Sequence, residues 1–310
     1  MQTLRTSDER FAHLRDAGGT DGFDYEPHHA EVADPTGGGP IRMAWVEDGP
    51  ADGPVVLLLH GEPSWSYLYR SMIPPLAAAG LRVVAPDLVG FGRSDKPVEV
   101  ADHTYARHVE WVRELVLDRL GLDAITLVGQ DWGGLIGLRL AAENPARFAR
   151  LVAANTGLPT GDVDMPEIWH RFRRAVQESP RLDIARFVES GCVRGLSPVA
   201  RSAYDAPFPD ETFTAGPRAM PGLVPYRPDD PASAANRAAW AVLAASTIPM
   251  LVAFSDSDPI TGGMRPVLER TVPGAAGRTH PVIANAGHFL QEDAGAELAD
   301  AVATFIRTSG

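Results

Sequence analysis

Residues Ala124–Gly134 read AITLVGQDWGG, and the organisation of the whole chain can be inferred outward from them. Ile125–Val128 is a short apolar, partly β-branched run, which is typical of a buried strand. It leads directly into GQDWG at 129–133, a Gly-x-nucleophile-x-Gly frame with aspartate where serine is often found. The glycines of such a frame permit a strained turn, and the central side chain stands clear of the sheet. Asp131 is therefore a candidate nucleophile, and the alternative is an aspartate that caps the following helix.

Further apolar runs lie on both sides of this segment and alternate with stretches of helical spacing. Such alternation predicts a parallel sheet with right-handed crossovers, whose strands are covered on both faces. A proline-rich part with helical stretches near Glu167–Glu178 and Ile184–Gly191 interrupts the alternation after Asn155. We therefore predict an α/β fold, a mostly parallel doubly wound sheet with an inserted helical cap: core at 1–156, cap at 157–233 and core at 234–310. The other predicted elements are strands at Val55–His60, Arg82–Asp87, Arg150–Ala154, Met250–Phe254 and Pro281–Ala284, an edge strand at Ile41–Glu47, and helices at Tyr67–Ala79, Tyr105–Leu120 and Ala296–Arg307.

Composition narrows the classes of function. The 310 residues are 45% hydrophobic and 22% charged, as in an ordinary globular protein, and the formal net charge of −12 argues against nucleic acid or anionic membranes as partners. The single cysteine, Cys192, excludes an internal disulfide and a thiolate zinc site. Neither a signal peptide nor an apolar run of the ~20 residues that span a bilayer is visible. We expect a cytoplasmic protein that is a monomer or a weak homo-oligomer.

Two further strand ends carry side chains that complete a catalytic constellation. Met250–Phe254 leads into SDSDP, and Pro281–Ala284 leads into NAGHF. The resulting order of nucleophile, acid and histidine is the one found in α/β-hydrolases, and open parallel sheets bind ligands at these strand ends. We predict Asp131 as nucleophile, His288 as base and Asp258 as the acid, with Asp256 as a rival for the last role.

An aspartate nucleophile restricts the reaction. A carboxylate can displace a leaving group from saturated carbon and form an ester that water cleaves, whereas serine would form a stable ether. Hydrolysis of the ester needs a general base and N–H donors facing the Asp131 carboxyl oxygen. The expected donors are the backbone N–H groups of Glu62 and Trp132. No metal and no organic cofactor is required.

The leaving group separates two chemistries. A departing halide needs hydrogen-bond donors in a dry pocket, and the indole N–H is a donor that does not titrate. Trp132 follows the nucleophile, and Trp169 is the sole tryptophan between Asn155 and Ser233. An epoxide instead needs an acid such as tyrosine, and Tyr204 and Tyr226 lie in the same region. At this point the residues are compatible with both reactions. A third hypothesis is a ligand receptor that has the hydrolase fold and no enzymatic activity.

Several motifs resemble those of haloalkane dehalogenases in the α/β-hydrolase superfamily. The resemblance covers about Arg42 to Phe305, and within the family it is to the subgroup whose triad acid follows the cap. It implies Asp131 as nucleophile, His288 as base and Asp258 as acid; the other subgroup carries its acid where this chain has Asn155. The motifs are HGEPSWSYLYRSMIPPLAAAG, APDLVGFGRSDKP, LVGQDWGG, YDAPFPDETFTAG and AGHFLQED.

The same resemblance implies how the substrate is held. In this family, backbone N–H groups form the oxyanion hole, and the corresponding residues here are Glu62 and Trp132. The side chains that donate to the halide correspond to Trp132 and Trp169. The expected partners are a small haloalkane, water and the halide product, in a largely apolar pocket. Candidate lining residues are Leu135, Phe172, Phe208, Ile260 and Phe289.

Overall fold

A seven-stranded sheet runs through the structure, a computed structural model that describes residues 1–309. The strand order is β2-β3-β5-β4-β7-β8-β9, and β10 pairs in parallel with β11 beside it. The pairs β2/β3 and β3/β5 are antiparallel, and all later pairs of the sheet are parallel. The predicted mostly parallel α/β sheet is thereby confirmed. The strands are β1 Thr3–Leu4, β2 His28–Val32, β3 Ile41–Asp48, β4 Val55–Leu59, β5 Arg82–Pro86, β6 Lys96–Pro97, β7 Ile125–Gln130, β8 Phe148–Ala154, β9 Met250–Val252, β10 Phe254–Ser255 and β11 Val282–Ile283.

Helices cover both faces of the sheet. On one face α3 packs on β7 and is flanked by α2 and α8, and on the other α1 packs against α10. Because both faces are covered, the central strands β4 and β7 are apolar almost throughout, as parallel strands require. The helices are α1 Ile73–Ala78, α2 Tyr105–Arg113, α3 Trp132–Glu143, α4 Glu167–Glu178, α5 Ile184–Ser190, α6 Pro198–Asp205, α7 Ala215–Leu223, α8 Ser233–Leu243, α9 Arg265–Thr271 and α10 Leu290–Thr308.

Helices α4 to α7 follow β8 in the part of the chain for which a cap is predicted. Within this group α4 packs on α7, and α5 packs on α6. Polar contacts attach the group to the core: the Trp65 indole N–H donates to the carbonyl oxygen of Ala203 at 3.0 Å, and the Tyr204 hydroxyl donates to Glu292. The cap boundaries at 156/157 and 233/234 stay predictions.

Two expectations about single elements are wrong. Strand β3 is not at the edge, because the exposed strand β2 pairs outside it. The predicted helix over 67–79 is a 3₁₀ turn followed by α1, which begins at Ile73 because prolines at its first positions favour a helix start. The predicted last helix over 296–307 is present after a kink at Ala294, and α10 has an additional turn from Leu290 before the kink. None of the helices within residues 1–309 combines the length and apolar character needed to cross a bilayer.

Candidate active site

The turn between β7 and α3 places Asp131 at the carboxyl edge of the sheet. Its φ is +48°, a strained value for a residue with a side chain. The turn is so tight that a Cβ at residue 133 would lie 1.8 Å from the carbonyl oxygen of Leu59, so only glycine fits there. The Asp131 side chain makes no capping hydrogen bond to α3. The helix-cap alternative is therefore wrong, and the carboxylate is available for chemistry.

Asn155 and Thr156, which follow β8, hold this turn in place by hydrogen bonds. The Asp131 N–H donates to the carbonyl oxygen of Asn155 at 3.1 Å, and the Thr156 hydroxyl donates to the carbonyl oxygen of Asp131 at 2.7 Å. Strained backbone persists only where its surroundings over-determine it. These two hydrogen bonds, from the loop that follows β8, constrain the backbone of Asp131.

The structure brings Asp131, His288 and Asp258 together. The His288 ring lies between the two carboxylates, with Nε2 3.6 Å from Asp131 Oδ2 and Nδ1 3.1 Å from Asp258 Oδ2. The rival Asp256 lies elsewhere: it is exposed and accepts the N–H groups of Asn285 and Ala286. Asp258, not Asp256, is thus the carboxylate beside the histidine.

Burial and neighbouring charged groups have opposing effects on the pKa values of His288 and Asp258. Burial lowers the pKa of His288, but the negative charges of Asp258 and Asp131 outweigh burial and raise this pKa to about 10. Burial raises the pKa of Asp258, but His288 and the Thr261 hydroxyl outweigh it and bring this pKa down to about 2. These shifts favour the protonated form of the imidazole, which lies between the two carboxylates.

One predicted oxyanion donor is in place beside Asp131. The backbone N–H of Glu62 donates to Asp131 Oδ1 at 2.9 Å. Gly61 allows this approach, since a Cβ at that residue would lie 2.4 Å from Asp131 Cβ. Within residues 1–309 the backbone N–H of Trp132 makes no hydrogen bond to this carboxylate, so its role stays a prediction. Burial, and secondly the charge of Asp131, raise the pKa of the Glu62 carboxyl well above its usual value.

A cavity of about 290 Å³ opens in front of Asp131 and His288. Trp132 and Trp169 both line it and are only 2% and 4% exposed. Neither indole N–H donates to any acceptor in the described part of the chain. Neither nitrogen is fully enclosed by protein atoms, so both N–H groups can reach an anion inside the cavity. The remaining wall is mostly apolar and includes Ile168, Phe172, Phe187, Cys192, Val193, Pro221, Val224, Pro259, Ile260 and Phe289.

Only some of the predicted pocket residues line this cavity. Phe172, Ile260 and Phe289 line this cavity, and Leu135 lines a neighbouring one. The expectation for Phe208 is wrong. Its ring packs edge-on against Phe91, with centroids 6.4 Å apart, because the segment after α6 folds back on the core.

The sequence of the chain matches other proteins over nearly its full length. A family model described as the alpha/beta hydrolase fold matches residues 54–295. A haloalkane dehalogenase of Psychrobacter cryohalolentis is 52% identical over 306 residues, covering 99% of this chain and 98% of that protein. The chain belongs to the haloalkane dehalogenase family. Another member, from Mycobacterium marinum, is 51% identical and covers 97% of this chain and 99% of its own length.

Solved structures of haloalkane dehalogenases share the fold. DpaA from Paraglaciecola agarilytica, described as tetrameric, superposes with a TM-score of 0.86 at 33% identity, covering 97% of each chain. DbeA from Bradyrhizobium elkani has a TM-score of 0.75 at 28% identity, covering 92% of this chain and 99% of its own. These TM-scores show that the fold is shared over nearly the whole chain.

Neither tyrosine that an epoxide hydrolase would need is at the cavity. Tyr204 is buried, with its hydroxyl bound to Glu292, and Tyr226 packs against Trp169 with ring centroids 5.6 Å apart. Both are absent from the cavity wall. Together with the family assignment, this placement disfavours epoxide opening.

Several polar residues of this haloalkane dehalogenase site were not assigned a role from the sequence. Gln130 Nε2 donates to the carbonyl oxygen of His288 at 3.1 Å, and Asn155 Nδ2 donates to the carbonyl oxygens of Gly287 and His288 at 2.8 and 3.1 Å. Thr261 donates its hydroxyl to Asp258. Of these residues only Thr261 could have been found from a local pattern, because its hydroxyl lies three residues after Asp258. Gln130 and Asn155 contact residues more than a hundred positions away in the sequence.

Proposed function

We propose that this protein hydrolyses haloalkanes to an alcohol, a halide ion and a proton, through an ester formed on Asp131. The observation that carries the proposal is that Trp132 and Trp169, whose indole N–H groups have no acceptor in the described part of the chain, line the same cavity as Asp131. A neutral pair of donors suits a leaving group that departs as an anion and needs no proton.

In the first step an Asp131 oxygen attacks the carbon that bears the halogen. The new C–O bond forms as the C–X bond breaks, and the bonding pair leaves with the halide. The indole N–H groups of Trp132 and Trp169 then hydrogen-bond this anion in a site with few competing waters. Asp131 serves because its product, an alkyl ester, can still be hydrolysed.

In the second step water attacks the carboxyl carbon of that ester. Once alkylated, Asp131 has no charge, so one of the two anions that raise the pKa of His288 is gone. His288 can then lose its proton, accept one from the attacking water, and rely on Asp258 to orient its ring. The N–H of Glu62 already points at the oxygen on which charge develops.

A substrate panel tests the proposed reaction. Purified protein incubated with 1-bromobutane should release bromide and 1-butanol in equal amounts, whereas styrene oxide should stay intact. Asp131→Ala should abolish bromide release. Hydrolysis of the epoxide without any dehalogenation would favour the alternative function.

The division of labour between the two steps gives a sharper test. His288→Ala should release one bromide per enzyme and then stop, because the base serves the second step. Mass spectrometry of the quenched variant should show Asp131 carrying the added alkyl group. A variant that turns over steadily, or that carries no adduct after exposure to 1-bromobutane, would contradict the scheme.

The expected partners follow from the reaction. They are a small haloalkane, water and halide, and a cytoplasmic location and a monomeric or weakly associated state are part of the same proposal. Sedimentation velocity at micromolar concentration distinguishes a monomer from a stable tetramer of the kind described for DpaA.

A further inference from the structure

A second cavity, of about 390 Å³, adjoins the first at the nucleophile. Four residues line both spaces and form the passage between them: Asp131, Trp169, Val224 and Ile260. The second cavity lies between the segment after β8, helix α8 and the start of α9. Its own wall includes Leu135, Leu158, Met165, Trp240, Met264 and Val267.

The wall chemistry of the two cavities differs. Trp132, His288 and Glu62 line only the first cavity, so both halide donors, the base and an oxyanion donor all serve that space. Side chains lining only the second are mainly aliphatic, methionine or aromatic. The indole N–H of Trp240 is already bound to the carbonyl oxygen of Leu158 at 2.6 Å, so this tryptophan presents an apolar ring. The second cavity is therefore suited to hydrocarbon.

The outer end of the second cavity carries an apolar and an acidic residue, Val163 and the exposed Asp164. Val163, which belongs to its wall, is 81% exposed, the largest exposed fraction among the large hydrophobic residues that the structure leaves at the surface. The cavity thus runs from solvent at Val163 to the carboxylate of Asp131. A hydrocarbon chain could lie along it while one end reaches the nucleophile.

The geometry of displacement requires room beside the reacting carbon. The attacking oxygen and the leaving halide lie on opposite sides of that carbon, and its other substituents point sideways. With the halide at Trp132 and Trp169 and the base in the first cavity, a long tail has to leave sideways. The second cavity offers space for such a tail, since Asp131 and Trp169 line both cavities.

We infer that the second cavity binds the alkyl tail of long, unbranched haloalkanes, so that this enzyme favours them over short ones. The inference depends on the proposed function, because the halogen-bearing end must react at Asp131. Each methylene placed in an apolar wall gains about fourfold in binding. The ratio kcat/KM should therefore rise with chain length until the second cavity is filled.

The first measurement is a series of 1-bromoalkanes from propane to decane with the unaltered protein. We expect kcat/KM for 1-bromooctane to exceed that for 1-bromopropane by at least tenfold, mostly through KM. Bromide release from no member of the series would refute the proposed function itself. Bromide release with no preference for chain length, or with a preference for 1-bromopropane, would overturn only the inference about the second cavity.

Filling one cavity at a time locates the tail. Met264→Trp should lower kcat/KM for 1-bromooctane at least tenfold and leave that for 1-bromopropane within twofold, because Met264 lines only the second cavity. The matched control is Ile168→Trp, which fills the first cavity and should lower the rate for both chain lengths together. An equal effect of Met264→Trp on both substrates, or none on either, would overturn the inference.

A milder variant guards against misfolding of the tryptophan variant. Met264→Ala enlarges the second cavity and should move the best substrate toward longer chains. Inhibition by 1-octanol gives a readout without turnover: its inhibition constant should rise about tenfold in Met264→Trp and stay within twofold in Met264→Ala. An inhibition constant that Met264→Trp leaves unchanged would show that the tail lies elsewhere.

Discussion

At the scale of single residues, the tryptophans that line the cavities differ in whether the indole N–H has a partner. Trp240 and Trp169 lie at the same second cavity, yet Trp240 donates to Leu158 while Trp169 has no acceptor in the described part of the chain. An indole N–H that has no protein acceptor and is open to a cavity can donate to a bound anion. Trp169 is therefore the tryptophan of the cap region suited to a halide.

The Trp169 assignment predicts the effect of removing its N–H. Trp169→Phe should weaken bromide binding by tenfold or more, because a hydrogen bond to a charged group contributes about 1.5–3 kcal/mol. Bromide product inhibition measures this directly. Trp240→Phe, the matched control, should leave the inhibition constant for bromide within twofold. If both variants bind bromide equally, Trp169 is not a halide donor.

At the scale of elements, one carboxylate at the start of α10 joins the histidine loop to the segment after α5. Asp293 is 3% exposed and accepts the N–H groups of Gly287, Val193 and Arg194 at 2.9, 2.9 and 2.8 Å. Gly287 immediately precedes His288. The position of the base therefore depends on how α5 ends and how α10 begins.

This junction predicts a defect confined to the second step. Asp293→Asn replaces one acceptor oxygen by an NH₂ group that faces N–H donors, so the His288 loop should shift. We expect kcat to fall about tenfold while the initial bromide burst keeps its rate, because alkylation does not use the base. Rapid-quench measurement of bromide separates the two phases.

Asp300→Asn, an exposed position on the same helix, is the control for that experiment and should change neither phase. Equal slowing of burst and steady state in Asp293→Asn would assign Asp293 a purely structural role.

At the scale of the whole molecule, a buried histidine pair couples folding to pH. His103 Nδ1 lies 3.1 Å from His108 Nε2, and both rings are buried beside Trp111. Burial lowers the pKa of His103 to about 4, and burial followed by the neighbouring histidine lowers that of His108 well below its usual value. Folding therefore requires both rings to be largely neutral.

The sign of the pH effect follows from proton binding. Below pH 6.5 the unfolded chain binds protons that the folded pair does not, so the free energy of unfolding falls as pH falls toward 4. A shift of this size corresponds to about 3 kcal/mol for His103 alone. Urea unfolding at pH 7, 6, 5 and 4 measures the loss.

Replacing the pair tests its share of that pH dependence. H103L/H108L should flatten the dependence between pH 6.5 and 4, while His13→Gln, at an exposed histidine, should leave it unchanged. An equally steep decline in H103L/H108L would show that other groups cause it.

Local patterns were sufficient for much of this molecule. The apolar run before Asp131, the glycines around it and the order of Asp131, Asp258 and His288 are features of neighbouring residues, since strand burial and tight turns leave a short-range pattern. The same reasoning failed at β2, whose exposed residues carry no apolar alternation, and at the proline-led start of α1.

What the sequence by itself determined was the α/β class, the strained turn at Asp131 and the set of residues able to perform the chemistry. Only the tertiary structure decided which of them meet: Asp258 beside His288, Asn155 and Asp293 holding the base, Phe208 away from the site, and a second cavity at the nucleophile. The reason is physical. Backbone conformation depends on adjacent residues, whereas these contacts join segments far apart in the chain and form only when the chain has folded.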